Sequence, residues 1–191
     1  SAPHSVQAAQ AMLFTTLDAS GAVPPPAAVM QRAPYDLFAS GAVAQWFPDL
    51  AAHLRFTAGL SAPGAHYLVS AFDADNFPEL NALLREPPFG YTRFPGHARA
   101  GLEAAAAATG WGVTAFLAWE ETEILPTARA VLRRMQDLGS VRDPRAGGRM
   151  TRANLAHLLD AYAQRFAADG AGAGGVRLTW KPWAALLTRV D

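Results

Sequence analysis

A chain of 191 residues with 51% apolar and 17% charged side chains is not a disordered one, because disorder goes with few apolar groups and high net charge. It is long enough to bury a core without covalent staples. Sixteen basic side chains cancel sixteen acidic ones, so nothing in the balance favours nucleic acid or an anionic membrane surface, and the lack of cysteine excludes disulfides, thiolate nucleophiles and thiolate metal sites.

In chain order, Val6, Leu13, Phe14 and Leu17 fall near helical spacing. Val23-Pro24-Pro25-Pro26 reads as extended, since proline fixes φ and lacks a donor. Ser40 reads as an N-cap for a stripe of Val43, Trp46, Phe47, Leu50 and Leu54, which Pro48 kinks or divides. Two runs have strand character, Leu54 to Leu60 and His66 to Phe72. The turn chemistry of Ser61-Ala62-Pro63-Gly64 between them predicts a β-hairpin.

Asp75 or Asn76 is positioned to cap a short helix reaching Arg85. An aromatic, proline-rich stretch from Pro87 to Gly96 precedes a helix from His97 to Thr109, closed by Gly110. Trp111 to Trp119, apolar with β-branched and aromatic members, reads as a central strand, ended by Glu120 to Glu123. Pro126 opens a helix whose apolar face is Val131, Leu132, Met135 and Leu138. After an arginine- and glycine-rich loop, Thr151 caps the clearest helix, with Leu155, Leu158, Leu159, Tyr162 and Phe166 in one stripe. Gly170 to Gly175 reads as a linker. Val176 to Trp180 reads as a strand, and Trp183 to Val190 as a strand or docked tail.

These elements predict a mixed α/β fold, a sheet of four or five strands covered by amphipathic helices. They form a single domain over 1–191, with a mainly helical part over 1–53 and sheet and helices over 54–191. The uncharged run Ala104 to Trp119 is shorter than the roughly 20 residues of a spanning helix. No signal peptide is read at the start. The expectation is a cytoplasmic protein without a membrane segment.

Chemistry has four candidate seats. Arg129, Arg133, Arg134, Arg142, Arg145, Arg149 and Arg152 face only Asp137 and Asp143. Guanidinium forks suit phosphate or carboxylate, so Arg142, Arg145, Arg149 and Arg152 are the anion-binding candidates. Arg145-Ala146-Gly147-Gly148 resembles the pyrophosphate loop of GNAT acetyltransferases, but it follows a helix where that loop requires a strand. Among five histidines without metal-ligand spacing, His97 after Pro95-Gly96 opens a helix and is the candidate base. Asp73, with Asp75, and Glu120, with its neighbours, follow predicted strands, where ligands gather in layered folds. If those strands are parallel neighbours, the carboxylates converge for acid–base work. Trp119 and Tyr91, with other aromatics, would line a pocket.

The reading is a small-molecule-binding domain, an enzyme without metal or nucleotide cofactor, using His97, Asp73 and Glu120 in an aromatic-lined pocket. Its ligand would be small and acidic or aromatic. The alternative is a protein-binding accessory, inhibitor or immunity-type module whose arginine loop 142–152 meets an acidic protein partner. Neither reading involves nucleic acid or a membrane.

Overall fold

The computed structural model describes residues 27–47, 49–89, 96–137, 151–168 and 174–190. The expected helix over 6–17, the proline run, Tyr91, the loop holding Arg142, Arg145 and Arg149, and most of the Gly170 to Gly175 linker lie outside the described residues. The fold is α/β, as the pattern predicts. A four-stranded sheet takes the order β1-β2-β6-β3 and a two-stranded sheet pairs β4 with β5.

The chain enters through a short helix α1 (Ala27–Met30) into β1 (Tyr35–Ser40), a strand the sequence reading missed. Ser40 is therefore the last residue of a strand and not a helix cap. A single 3-10 turn, Ala44–Trp46, follows, and then α2 (Leu50–Gly59). Asp49 caps α2 by accepting from the Ala52 N–H at 2.9 Å, which satisfies one of the orphan donors of a helix start. The expected strand over Leu54 to Leu60 is thus the second half of α2. The expected hairpin is absent too, because Ser61 to Gly64 is the start of β2 (Ser61–Phe72).

β1 pairs with β2 in parallel, with Phe38 opposite Tyr67 and Ser40 opposite Val69. Strand, helix and strand form a βαβ unit, which a hairpin of two antiparallel strands would not. The helical spacing of Leu50 and Leu54 buries both, and that packing overrides the strand propensity of the residues after them.

From β2 the chain runs into α3 (Pro78–Leu84), α4 (Arg99–Ala107) and β3 (Trp111–Ala118). The N-cap of α3 is Phe77, in the left-handed region at φ 58 and without a capping side-chain bond, so neither Asp75 nor Asn76 has that role. Gly110 turns the chain at φ +75, a conformation glycine adopts freely. β3 is an edge strand, not the central one predicted. The centre is β2 and β6 (Pro182–Arg189). β6 is antiparallel to both β2 and β3, with Phe72 opposite Pro182 and Ala118 opposite Trp183.

Two cores result. In the first, Leu54 of α2 and Leu102 of α4 pack on one face of the large sheet, against Tyr67, Val69, Trp111, Trp183 and Leu187. The two indoles keep their N–H groups satisfied: Trp111 donates to the Leu54 carbonyl at 3.0 Å and Trp183 to the His97 carbonyl at 2.9 Å. The second core joins α3, α5 (Ala128–Asp137) and α6 (Arg152–Arg165) to β4 (Glu121–Leu125) and β5 (Val176–Trp180), through Leu80, Leu83, Val131, Met135, Leu158, Tyr162 and Leu178. Thr151 caps α6, as predicted, by accepting from the Asn154 N–H at 3.1 Å.

Glu79 of α3 is buried and accepts from both the N–H and the hydroxyl of Thr179 in β5. Glu79→Ala would leave a buried backbone N–H without its acceptor. A loss of about 1–3 kcal/mol in urea unfolding is expected, with the midpoint moved to lower urea.

Candidate functional site

The C-terminal ends of the parallel strands β1 and β2 lie side by side, and ligands of open α/β sheets collect at such ends. After β1 comes Gly41, then Ala42 at φ 50, then the 3-10 turn. The Ala42 N–H donates to the Ser70 carbonyl at 3.0 Å and lies 3.2 Å from its hydroxyl oxygen, so the loop folds back over β2. Gln45 is buried. Its Nε2 donates to the Ala42 carbonyl at 2.6 Å, while its Oε1 has no hydrogen-bond partner among the described residues. Beside it, Trp46 is 39% exposed.

His97 ties this loop down. Its Nε2 lies 3.0 Å from the Ala44 carbonyl, and a carbonyl only accepts, so Nε2 carries the proton. The His97 N–H donates to the Phe72 carbonyl at 3.1 Å, and its own carbonyl takes the Trp183 indole N–H. One residue thus joins the β1 loop, the end of β2 and the start of β6. Gly96 lies so close to the chain that a Cβ there would run into the Asp73 backbone.

The antiparallel insertion of β6 brings its first residues to this same end of the sheet. The Asp73 N–H donates to the Lys181 carbonyl at 2.8 Å, and the Trp119 N–H donates to the Pro182 carbonyl at 3.1 Å. The Lys181 ammonium stands 3.5 Å from Asp75 and 3.8 Å from Glu120, and Arg85 reaches Asp75 at 3.4 Å. Asn76, almost fully buried, accepts from the Lys181 N–H at 2.8 Å.

His97 and Asp73 are therefore linked through the backbone, by the bond from the His97 N–H to the carbonyl of Phe72, the residue before Asp73. The Asp73 carboxylate accepts from the Asp75 N–H at 2.8 Å. Glu120 joins the group through Lys181. The strands before Asp73 and Glu120 are not neighbours, because β6 separates them, so the two carboxylate groups meet across a lysine and not directly. Trp119 is 45% exposed at the same sheet end. Arg152 is the exposed first residue of α6, and none of the contacts above involves it. The sequence reading missed Gln45 and Ser70. Gln45 follows the unrecognised β1, and only its place after a parallel strand marks it.

Behind β1 sits a buried aromatic group. The Tyr67 hydroxyl lies 2.7 Å from His53 Nε2, and His53 stacks on Phe47 with ring centroids 4.1 Å apart. Burial pushes the Tyr67 phenol up to about 12, opposed by the Ser40 hydroxyl.

No protein-family model matches the chain. Over 150 residues, 78% of this chain, it is 31% identical to malonyl-[acyl-carrier protein] O-methyltransferase of Porphyromonas gingivalis and covers 54% of it. The chain thus spans about half the length of that curated relative. Among solved structures, the YcgJ protein of Bacillus subtilis matches with a TM-score of 0.54 at 12% identity, over 90% of this chain and 69% of that one. A structure described as a putative methyltransferase from Bacillus halodurans matches with a TM-score of 0.51 at 12% identity, over 82% and 65%. The chain shares the α/β fold of these two structures. That fold suits the small-molecule-binding domain expected from the sequence. Among the described residues, no helix is long and apolar enough to cross a membrane.

Two measurements check this geometry. His97→Ala removes the bond to Ala44, so amide exchange over residues 42–47 should accelerate, with about 1 kcal/mol lost from global stability. The second is pH. Tyr67 holds its proton in the folded state up to about 12, against 10.0 for the free group, so above pH 10 the unfolded chain binds fewer protons and stability falls. The contribution is complete below pH about 10 and gone above about 12. Tyr67→Phe should flatten that alkaline limb in denaturant titrations.

Proposed function

We propose that this chain forms the acceptor-binding side of a methyltransferase acting on a small carboxylic acid, presented as an acyl group on a carrier protein. The observation that carries the reading is the 31% identity over 150 residues to an enzyme named for malonyl-[acyl-carrier protein]. The fold supports it, and so does the site at the ends of β1 and β2. A malonyl group on a carrier has one free carboxylate, the only oxygen nucleophile it offers to O-methylation. Trp46 and Trp119 give the sheet end exposed apolar surface, and the Gln45 Oε1 offers an acceptor without a partner among the described residues.

The arginine run keeps its role from the sequence. Arg142, Arg145, Arg149 and Arg152 would meet the anionic face of a carrier, as guanidinium groups do with carboxylate and phosphate. The acid–base residues change role. A carboxylate acceptor is already deprotonated at neutral pH and needs no general base. His97 then acts as a positioning residue that holds the Ala42–Trp46 loop. Lys181 offsets the charge of Asp75 and Glu120 at the entrance.

Methyltransferases of this type draw on S-adenosylmethionine. A nucleoside of that kind wants a glycine-rich turn between a strand and a helix, where backbone can approach it, and a free carboxylate for the ribose hydroxyls. Among the described residues no strand leads through such a turn into a helix. β1 leads into a 3-10 turn, β2 through Asp73 to Asn76 into α3, and β4 into α5. The Asp73 and Asp75 carboxylates already face the Asp75 N–H, Arg85 and Lys181. The described residues do not fit the donor.

Acceptor binding needs no donor, so it tests the reading alone. Malonyl-carrier protein titrated into the chain should give a saturable change in tryptophan fluorescence, weaker in Trp46→Phe. Arg145→Ala with Arg149→Ala should weaken it about tenfold and reduce its salt dependence, since two charge pairs at a wet interface are worth roughly 1–2 kcal/mol. Acetyl-carrier protein, without a free carboxylate, should bind less tightly. A titration with no response to either carrier would sink the proposal.

A further inference from the structure

α2 and α4 cover one face of the large sheet and leave Leu37, Leu68 and Leu117 exposed on the other. Under the covered face, beside β1, the open edge of that sheet among the described residues, lies a buried polar pair. Tyr67 of β2 and His53 of α2 are 2% and 7% exposed. One bond of 2.7 Å, from the phenol oxygen to the imidazole Nε2, joins them.

The pair reaches the Gly41–Trp46 loop of the candidate site from both of its ends. On the entry side, Tyr67 is the register partner of Phe38, near the end of β1, and the two rings meet edge-on with centroids 6.0 Å apart. The hydroxyl of Ser40, the last residue of β1, faces the phenol. On the exit side, Phe47 closes the 3-10 turn. Its ring lies on the His53 imidazole with centroids 4.1 Å apart and planes 24° apart. In the middle, His97 holds the Ala44 carbonyl. Trp46, exposed at the sheet end, thus stands between two points that histidines hold, Ala44 and Phe47.

A stack of rings does not choose its own angle. Apolar contact is non-directional, and the second side-chain torsion of histidine and phenylalanine is broad. A hydrogen bond is directional. The Tyr67 hydroxyl keeps its proton well above neutral pH, and its bond orients the His53 ring, the surface on which Phe47 rests. Resting on the acceptor-binding reading, we infer that Tyr67 is a positioning residue for the acceptor: through His53 and Phe47, its hydroxyl sets where Trp46 stands. The ring of Tyr67 serves the core, against Phe38 and Trp111. The hydroxyl serves the loop.

The test uses the chain labelled with fluorotryptophan, in which the resonance lost in Trp46→Phe reports the loop, and malonyl-carrier protein as ligand. Tyr67→Phe keeps the ring and removes the hydroxyl. His53→Phe keeps the stack and removes the nitrogen. The double variant removes both partners of the bond, which costs less stability than leaving one of them buried and unpaired. In all three the Trp46 resonance should move while that of Trp119 stays. Carrier affinity should fall about fivefold, the size of one net hydrogen bond. The double variant should unfold at higher urea than His53→Phe without regaining affinity. Affinity that returns together with stability in the double variant would reduce the pair to a part of the core and overturn the inference. So would a Tyr67→Phe chain whose Trp46 resonance is unmoved. If Tyr67→Phe does not fold, the double variant supplies both readings. A parent chain that binds no carrier counts against the functional reading instead, and the Trp46 resonance of the variants then decides the loop clamp by itself: moved, it stands; unmoved, it falls.

Discussion

The strand β6 is the constraint from which the site follows. It runs antiparallel between β2 and β3, two strands that point the same way. Its first residues are therefore forced to the end of the sheet where β2 and β3 finish. Lys181 arrives there because Pro182 pairs with Phe72 and Trp183 with Ala118. The chain's only lysine thereby stands between Asp75 and Glu120, two carboxylates 45 positions apart in sequence. A helix-connected parallel strand in the place of β6 would carry its start to the opposite end.

The same strand links the two cores. Trp183 belongs to the first and Trp180, three residues earlier, packs against the second and meets Phe77 with ring centroids 4.6 Å apart. Between them the backbone of Lys181 is held by Asp73 and Asn76. Short polar contacts of this kind are worth about 1 kcal/mol each, little beside the buried tryptophans, but they set register where apolar packing is non-directional. His97 does the same where the β1 loop meets β2 and β6, with three hydrogen bonds from one residue.

A bare apolar face costs a chain in water something, since patches of this extent invite association. Here the face is bare over the strands nearest the open edge as well as over β3. The buried face, by contrast, is closed by two helices and by Tyr67, Trp111 and Trp183, whose polar atoms are hydrogen-bonded. The asymmetry between the two faces is the main feature that the described residues do not account for.

The sequence by itself determined most of the helices and three of the strands. α4, α5 and α6 are legible because one apolar stripe at helical spacing, with Thr151 or Gly110 at an end, leaves little choice. β2, β3 and β5 are legible as short apolar runs with β-branched members. What it did not determine was pairing. Ser61 to Gly64 has the chemistry of a hairpin turn, yet the structure uses it as the start of β2, because α2 buries Leu50 and Leu54 and carries the chain back to lie parallel to β1. β1 itself, six residues with Asp36 and Ser40 among them, has too little apolar alternation to register as a strand. It is one because β2 offers it a ladder of hydrogen bonds. The position of Lys181 between Asp75 and Glu120, and of Gln45 behind the β1 loop, depends on strand order. Strand order rests on long-range contacts, and no local pattern in the sequence encodes those.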